Sequence, residues 1–173
     1  MSANDQPDHV EAWVSNDMGF AHLRGDIHAY SFFIHVDGHP DLALRIPRAK
    51  DGSVLRIEAT WGTSSAQAEP SAMAGGASAL QELIPAQNAD VLRSALAMTR
   101  LVPTSTKGLD SLQVMSAGIL GHMYAPYQPR VQTEWPWDYA AYATCYWACV
   151  AGGGGGSQWV TCGDDCRARY LGN

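Results

Sequence analysis

No cysteine occurs before Cys145, and charge is scarce throughout: charged residues make up 16% of the 173, with 11 Lys and Arg against 17 Asp and Glu. A formal charge of −6 leaves no concentrated basic patch with which to track phosphates, so nucleic acid is not an expected partner. Basic residues gather only at Arg45, Arg48, Lys50 and Arg56, and again at Arg167 and Arg169. Also missing is an uninterrupted apolar run of roughly eighteen residues, which excludes a membrane-spanning helix. The first residues, Met1-Ser-Ala-Asn-Asp, have neither the positive nor the apolar region of a secretory signal peptide. Synthesis in the cytoplasm is the expectation, with later export of the C-terminal segment as a further step.

Signatures of catalysis are missing as well. No Gly-x-Ser-x-Gly elbow occurs, and no cysteine stands in a recognisable pairing with histidine. The glycine run from Gly152 to Gly156 lacks the Lys-Ser/Thr that follows in a phosphate-binding loop. Ser116 and His122 lie close in sequence, but a serine and a histidine on one short helix are commonplace. No enzymatic activity is expected, and no cofactor is called for.

What is present describes a folding chain, since hydrophobic residues make up 46% of it. Residues 1–62 read as an antiparallel meander of four or five strands. His28 to Val36 is rich in aromatic and β-branched residues, Asp37-Gly38 signals a hairpin, and Leu42 to Ile46 follows. Leu55, Ile57, Ala59 and Trp61 then alternate with Arg56, Glu58 and Thr60, the period of a strand buried on one face. Val10 to Val14 and Gly19 to Leu23 carry weaker strand patterns. Residues 63–78, low in bulky apolar groups and interrupted by Pro70 and Gly75-Gly76, read as a linker.

Residues 79–123 read as helical and packed on the sheet: Ala79 to Ile84, then a helix capped by Asn88 or Asp90 and closed by Pro103, then Leu109 to Met123, a pattern that Gly118 and Gly121 weaken. Residues 124–134, with Tyr124-Ala-Pro-Tyr-Gln-Pro, predict an extended polyproline-like connector. Residues 135–173 then hold all four cysteines and most of the tryptophans and tyrosines. Thr133 to Trp135 and Pro136 offer the start of a helix through Ala148, and Ser157 can cap a second, which Gly163 weakens. The fold class is α+β: an N-terminal antiparallel meander, two or three helices, and a cysteine-linked helical hairpin. No internal repeat is visible beyond the doubled cysteine spacing.

That spacing, Cys145-x-x-x-Cys149 and Cys162-x-x-x-Cys166, puts each pair on one helix face, because positions i and i+4 are neighbours. Four facing thiols allow two disulfides, a thiolate metal site, or enzymatic modification. The twin Cys-x-x-x-Cys arrangement resembles that of helical hairpins such as the plant α-hairpinin peptides and the small mitochondrial intermembrane-space chaperones. The resemblance covers about residues 135 to 170 and implies outer-with-outer and inner-with-inner disulfides, Cys145 with Cys166 and Cys149 with Cys162.

A folded body, a proline-rich connector and a tail dense in Cys, Trp and Tyr suggest a precursor or carrier presenting a bacteriocin-like or toxin-like peptide. Such a peptide would be matured by disulfide or thioether formation or by cleavage, with Gly156 and Ser157 as the candidate cleavage point. A maturation enzyme, protease or exporter would then be the partner. The alternative is a non-catalytic binding or assembly protein that uses the clipped hairpin as its interaction module. In that reading the aromatic hairpin meets a protein partner or touches a membrane without spanning it. Elsewhere, His35, Asp37 and His39, with His28 and Asp41, form a weak candidate metal cluster at the hairpin tip.

Overall fold

The computed structural model describes residues 2–6, 9–127, 139–152 and 158–170. Seven strands form one antiparallel sheet in sequential order: β1 (Ser2–Gln6), β2 (His9–Asn16), β3 (Gly19–Asp26), β4 (Ala29–Val36), β5 (Leu42–Pro47), β6 (Ile57–Trp61) and β7 (Ser64–Ala68). Each strand pairs with its predecessor, as hairpin connections dictate. At the expected Asp37-Gly38 turn, His39 N–H donates to the Val36 carbonyl at 3.1 Å and Gly38 takes φ +80°. Glycine adopts that conformation without steric cost.

Two strands exceed the sequence expectation. β1 and β7 are built from Ser, Ala, Asn, Asp and Gln, which have little strand preference of their own, and pairing to β2 and β6 makes them strands. The stretch 63–78 is therefore no linker. Gly62 turns the chain with φ +57°, β7 follows, and Pro70 occupies the first turn of α1 (Pro70–Ala74), where its missing N–H is harmless.

Alternation along β2 to β6 sends Ala12, Val14, Leu23, Phe32, Ile34, Leu44 and Ile57 to the inner face, where all are buried. Over them lie α2 (Asp90–Thr99) and α3 (Lys107–Tyr124). Asp90 sits in the first turn of α2, with Ala89 at the cap position that the sequence suggested for Asn88 or Asp90. Ala79–Glu82 is a 3-10 turn capped by Ser78, with Gln81 closing the capping box.

The third layer is α4 (Tyr139–Ala151) and α5 (Gln158–Tyr170). α4 packs on α1 and α3, and α5 packs on α4 and α3. α3 thus lies between the sheet and the tail and is buried on two faces: Leu112, Met115, Ile119, Leu120 and Met123 are each 0% exposed along one, and Val114 and Gly118 meet the tail on the other. Of the connector expected over 124–134, Tyr124 ends α3 and Ala125–Tyr127 forms a 3-10 turn, while residues 128–134 lie outside the described residues. The Tyr127 hydroxyl donates to the Gln81 or Ile84 carbonyl, 2.9 Å from each, tying this turn to the body. The caps read at Thr133 to Pro136 and at Ser157 lie outside the described residues.

Candidate functional site

The cysteine hairpin closes with two disulfides, Cys145–Cys166 and Cys149–Cys162, each with Cα atoms 5.8 Å apart. That separation is ordinary for a disulfide. The sulfurs are consumed in pairing, and no free cysteine remains among the described residues. Both bridges join residues on either side of the glycine run in the sequence. Gly156 and Ser157 lie outside the described residues, but a cut between them would leave the two helices covalently joined and release nothing.

The aromatic face of the hairpin is covered. Tyr142, Tyr146 and Trp147 are at most 1% exposed and belong to the same core as the sheet and α3. The fit depends on two glycines. A Cβ at Gly118 would stand 2.8 Å from the Tyr146 ring, and one at Gly163 would run into Val114. Glycines that weakened the helix pattern in the sequence are therefore where helices approach most closely. The Tyr146 hydroxyl and the Trp147 indole N–H are buried without a hydrogen-bond partner in this interface, and burial drives the Tyr146 phenol well above its ordinary range. The tail docks on helices α1 and α3.

The candidate metal cluster does not assemble. Strand β4 ends at Val36 and the chain turns, so residues 35, 37 and 39 do not share a face. His35 Nδ1 lies 2.7 Å from Asp41, and its Nε2 lies 3.4 Å from Asp37. The hydrogen bond to Asp41, then the two nearby carboxylates, raise its pKa. His39 turns away to Asp90 on α2 at 3.2 Å, and His28 sits beyond the opposite end of β4. Among the described residues no three His, Cys, Asp or Glu side chains are grouped to hold a metal ion.

His122 meets a serine, though not Ser116, whose hydroxyl donates to the Leu112 carbonyl at 2.8 Å. The His122 Nε2 shares a 2.8 Å hydrogen bond with Ser78 Oγ. Burial alone lowers its pKa to about 4. The imidazole is therefore neutral over the ordinary range, and the Ser78 oxygen also accepts the Leu80 N–H at 3.3 Å. The pair fastens the 3-10 turn to α3.

Sequence reading passed over the outer face of the sheet. Trp13, Phe20 and Phe33 point outward and are 44%, 37% and 36% exposed. Strand register sets Trp13 beside His22 and His22 beside Phe33, and it sets Phe20 beside His35. The Trp13 and His22 rings stack at 3.8 Å and 7°, and Phe20 lies 6.0 Å from Phe33 and 5.2 Å from His35. His22 Nε2 lies 2.5 Å from Glu11, a hydrogen bond that lowers the Glu11 pKa. Beyond Phe33 the row continues with Ala43 and Thr60. The small Ala43 side chain leaves an open cleft of about 510 Å³, bounded by His22, Phe33, Arg24, Arg45, Glu58 and Thr60. One signal was available in the sequence: Phe32-Phe33 within a strand must place one phenylalanine on each face.

Comparison with known proteins returns no matching family model, no matching curated protein and no matching solved structure. No helix among the described residues is long and apolar enough to cross a membrane.

Proposed function

We propose that this chain is a non-catalytic binding protein whose recognition surface is the outer face of the sheet, braced from behind by the disulfide-clipped hairpin. The observation that carries this reading is the contrast in cover. Tyr142, Tyr146 and Trp147 of the tail are sealed against α1 and α3, with Tyr170 near the end of α5 exposed, whereas Trp13, Phe20 and Phe33 remain open together on a face that also holds a cleft. Contiguous exposed apolar surface on a folded chain marks interaction sites, and a cleft of this volume is within the range that takes a small ligand. The hairpin is in this reading a permanent third layer.

A protein-observed NMR screen of chemically diverse small ligands tests it. Hits should perturb outward-facing residues of β2 to β6 and disappear in a Trp13→Ser/Phe33→Ser double variant that keeps the native fold. Hits confined to the hairpin, or a screen with none, would sink the proposal.

A second reading, the peptide precursor, has one observation in its favour. Every cysteine pairs within the hairpin and none with the body, so an excised hairpin would carry its own bracing. Release would require a cut before Tyr139. Intact mass of the protein from its native host, with and without reductant, decides between the two. A species beginning within residues 128–138 supports the precursor; a full-length chain lacking four hydrogens that reductant restores supports the binding protein.

A further inference from the structure

We infer that the cleft over Ala43 takes a small ligand with an anionic group and an apolar, preferably aromatic, body; this rests on the outer-face reading above. Across the sheet Arg24 pairs with Ser31, and Ser31 pairs with Arg45. Two arginines thus flank one serine, two strand spacings or roughly 10 Å apart at Cα. Their long side chains can converge over Ser31. Each is more than half exposed, at 54% and 58% of the side chain, so each can swing to meet a ligand.

Local charge decides the sign. The cleft's one carboxylate, Glu58, already accepts from Arg56 at 2.6 Å and from Arg45 at 3.3 Å, and the Arg56 bond first among these lowers its pKa. Arg24 has only a loose contact with Asp26, at 3.9 Å. Among the groups that line the cleft, Arg24 and Arg45 carry two positive charges against the one engaged carboxylate of Glu58, while Glu11, the cross-strand neighbour of Arg24, is bonded to His22 outside the lining, so the cleft itself keeps an excess of one positive charge on a chain of net charge −6. Guanidinium groups bind carboxylate and similar anions with paired, charge-assisted hydrogen bonds. A polyanion such as nucleic acid would meet the repulsion of the remaining molecule along its length, whereas one compact anion held between the guanidiniums would meet much less of it.

Shape decides the body. Beside the arginines the wall is the Phe33 ring and the floor is Ala43, so a flat apolar group can lie against the phenylalanine. One face of Trp13 is occupied by His22 at 3.8 Å. The free ring surface next to the cleft is therefore that of Phe33, on the side where the guanidiniums lie.

The test uses the full chain and two probes that differ in charge, 2-naphthoate and 2-naphthalenemethanol, titrated by NMR. The carboxylate should bind at least about tenfold tighter than the alcohol, with shifts centred on Phe33, Ala43 and Arg45. An Arg24→Gln/Arg45→Gln variant should bring the two affinities together, and Ala43→Leu, which fills the floor, should abolish both. Equal affinities in the native protein, or a double variant that binds naphthoate as well as the native chain, would overturn the anion inference. The outer-face reading would survive that result provided Ala43→Leu still removed binding. Shifts located on the hairpin would overturn both, and no binding by either probe would overturn the inference and leave the face to the wider screen.

Discussion

Two parts of this molecule carry aromatic side chains in quantity, and they have opposite fates. In the hairpin, Tyr142, Tyr146 and Trp147 press into α3 and α1 and are closed off by Gly118 and Gly163. On the sheet, Trp13, Phe20 and Phe33 stand in the open. From the sequence the tail looks like the adhesive part, because its aromatic density is higher and its cysteines draw attention. Density is a poor guide here. An aromatic surface becomes available for binding only when nothing in the chain covers it, and cover is a property of the tertiary arrangement.

The largest effect should come from breaking the covered side. Trp147→Ala removes the largest fully buried side chain of the core and should destabilise by about 3 to 5 kcal/mol in urea unfolding. Hydrogen exchange should show the hairpin detaching while the sheet stays protected, and the disulfides should hold α4 and α5 together as they leave. A loss under about 1 kcal/mol would mean that the tail is only loosely docked. Tyr146→Phe gives the complementary check. It deletes a hydroxyl buried without a partner, so it should be neutral or stabilising by about 1 kcal/mol.

Much of this was legible in the residues, and the reasons for the remainder are physical. β4 to β6 were readable because their apolar residues recur with period two and Asp37-Gly38 marks a turn. The helical hairpin was readable because the cysteine pairs repeat at helical spacing, and the disulfide pairing agrees with the one implied by the resemblance to twin Cys-x-x-x-Cys hairpins. β1 and β7 were not readable, since Ser2–Gln6 and Ser64–Ala68 become strands only by adding to an edge. Gly118 and Gly163 counted against their helices because propensity is local, whereas their use is to admit a neighbour's side chain. The outer face was missed for the same reason. Trp13 and Phe20 looked like ordinary members of weak strands until the register set them diagonally across one face.

A mid-sized effect should come from pH, and it probes the inner layers while sparing the face. His122 is buried between α3 and Ser78, with its pKa lowered from the ordinary 6.5 to about 4. The unfolded chain takes up a proton near pH 6.5, and the folded chain resists until about pH 4. The stabilisation is therefore full above the unfolded value and is lost as pH falls across this window. It should amount to something on the order of 3 kcal/mol. His122→Gln should flatten that part of the stability profile while leaving other acid transitions in place. His35, whose pKa is raised by Asp41 and Asp37, acts in the opposite sense: its contribution is present in acid and is lost as pH rises. An unchanged profile in the His122 variant would mean that the imidazole is not held neutral.

The smallest effect should come from the open side, and its smallness is what gives it meaning. Phe20 touches Trp13, Phe33 and His35 through ring contacts at 5.2 to 6.3 Å, and such contacts are worth about 0.5 to 1.5 kcal/mol where they are well packed. At 37% exposure the lower end applies, so Phe20→Ser should cost no more than about 1 kcal/mol in urea unfolding. The same substitution should increase solubility, because it breaks an apolar patch that the described residues leave exposed. A loss comparable to that of Trp147→Ala would mean that some further part of the assembly lies over the face, and the contrast between the two aromatic regions would collapse. A small loss leaves residues that the fold does not need, grouped in register beside a cleft, and stability alone does not account for that grouping.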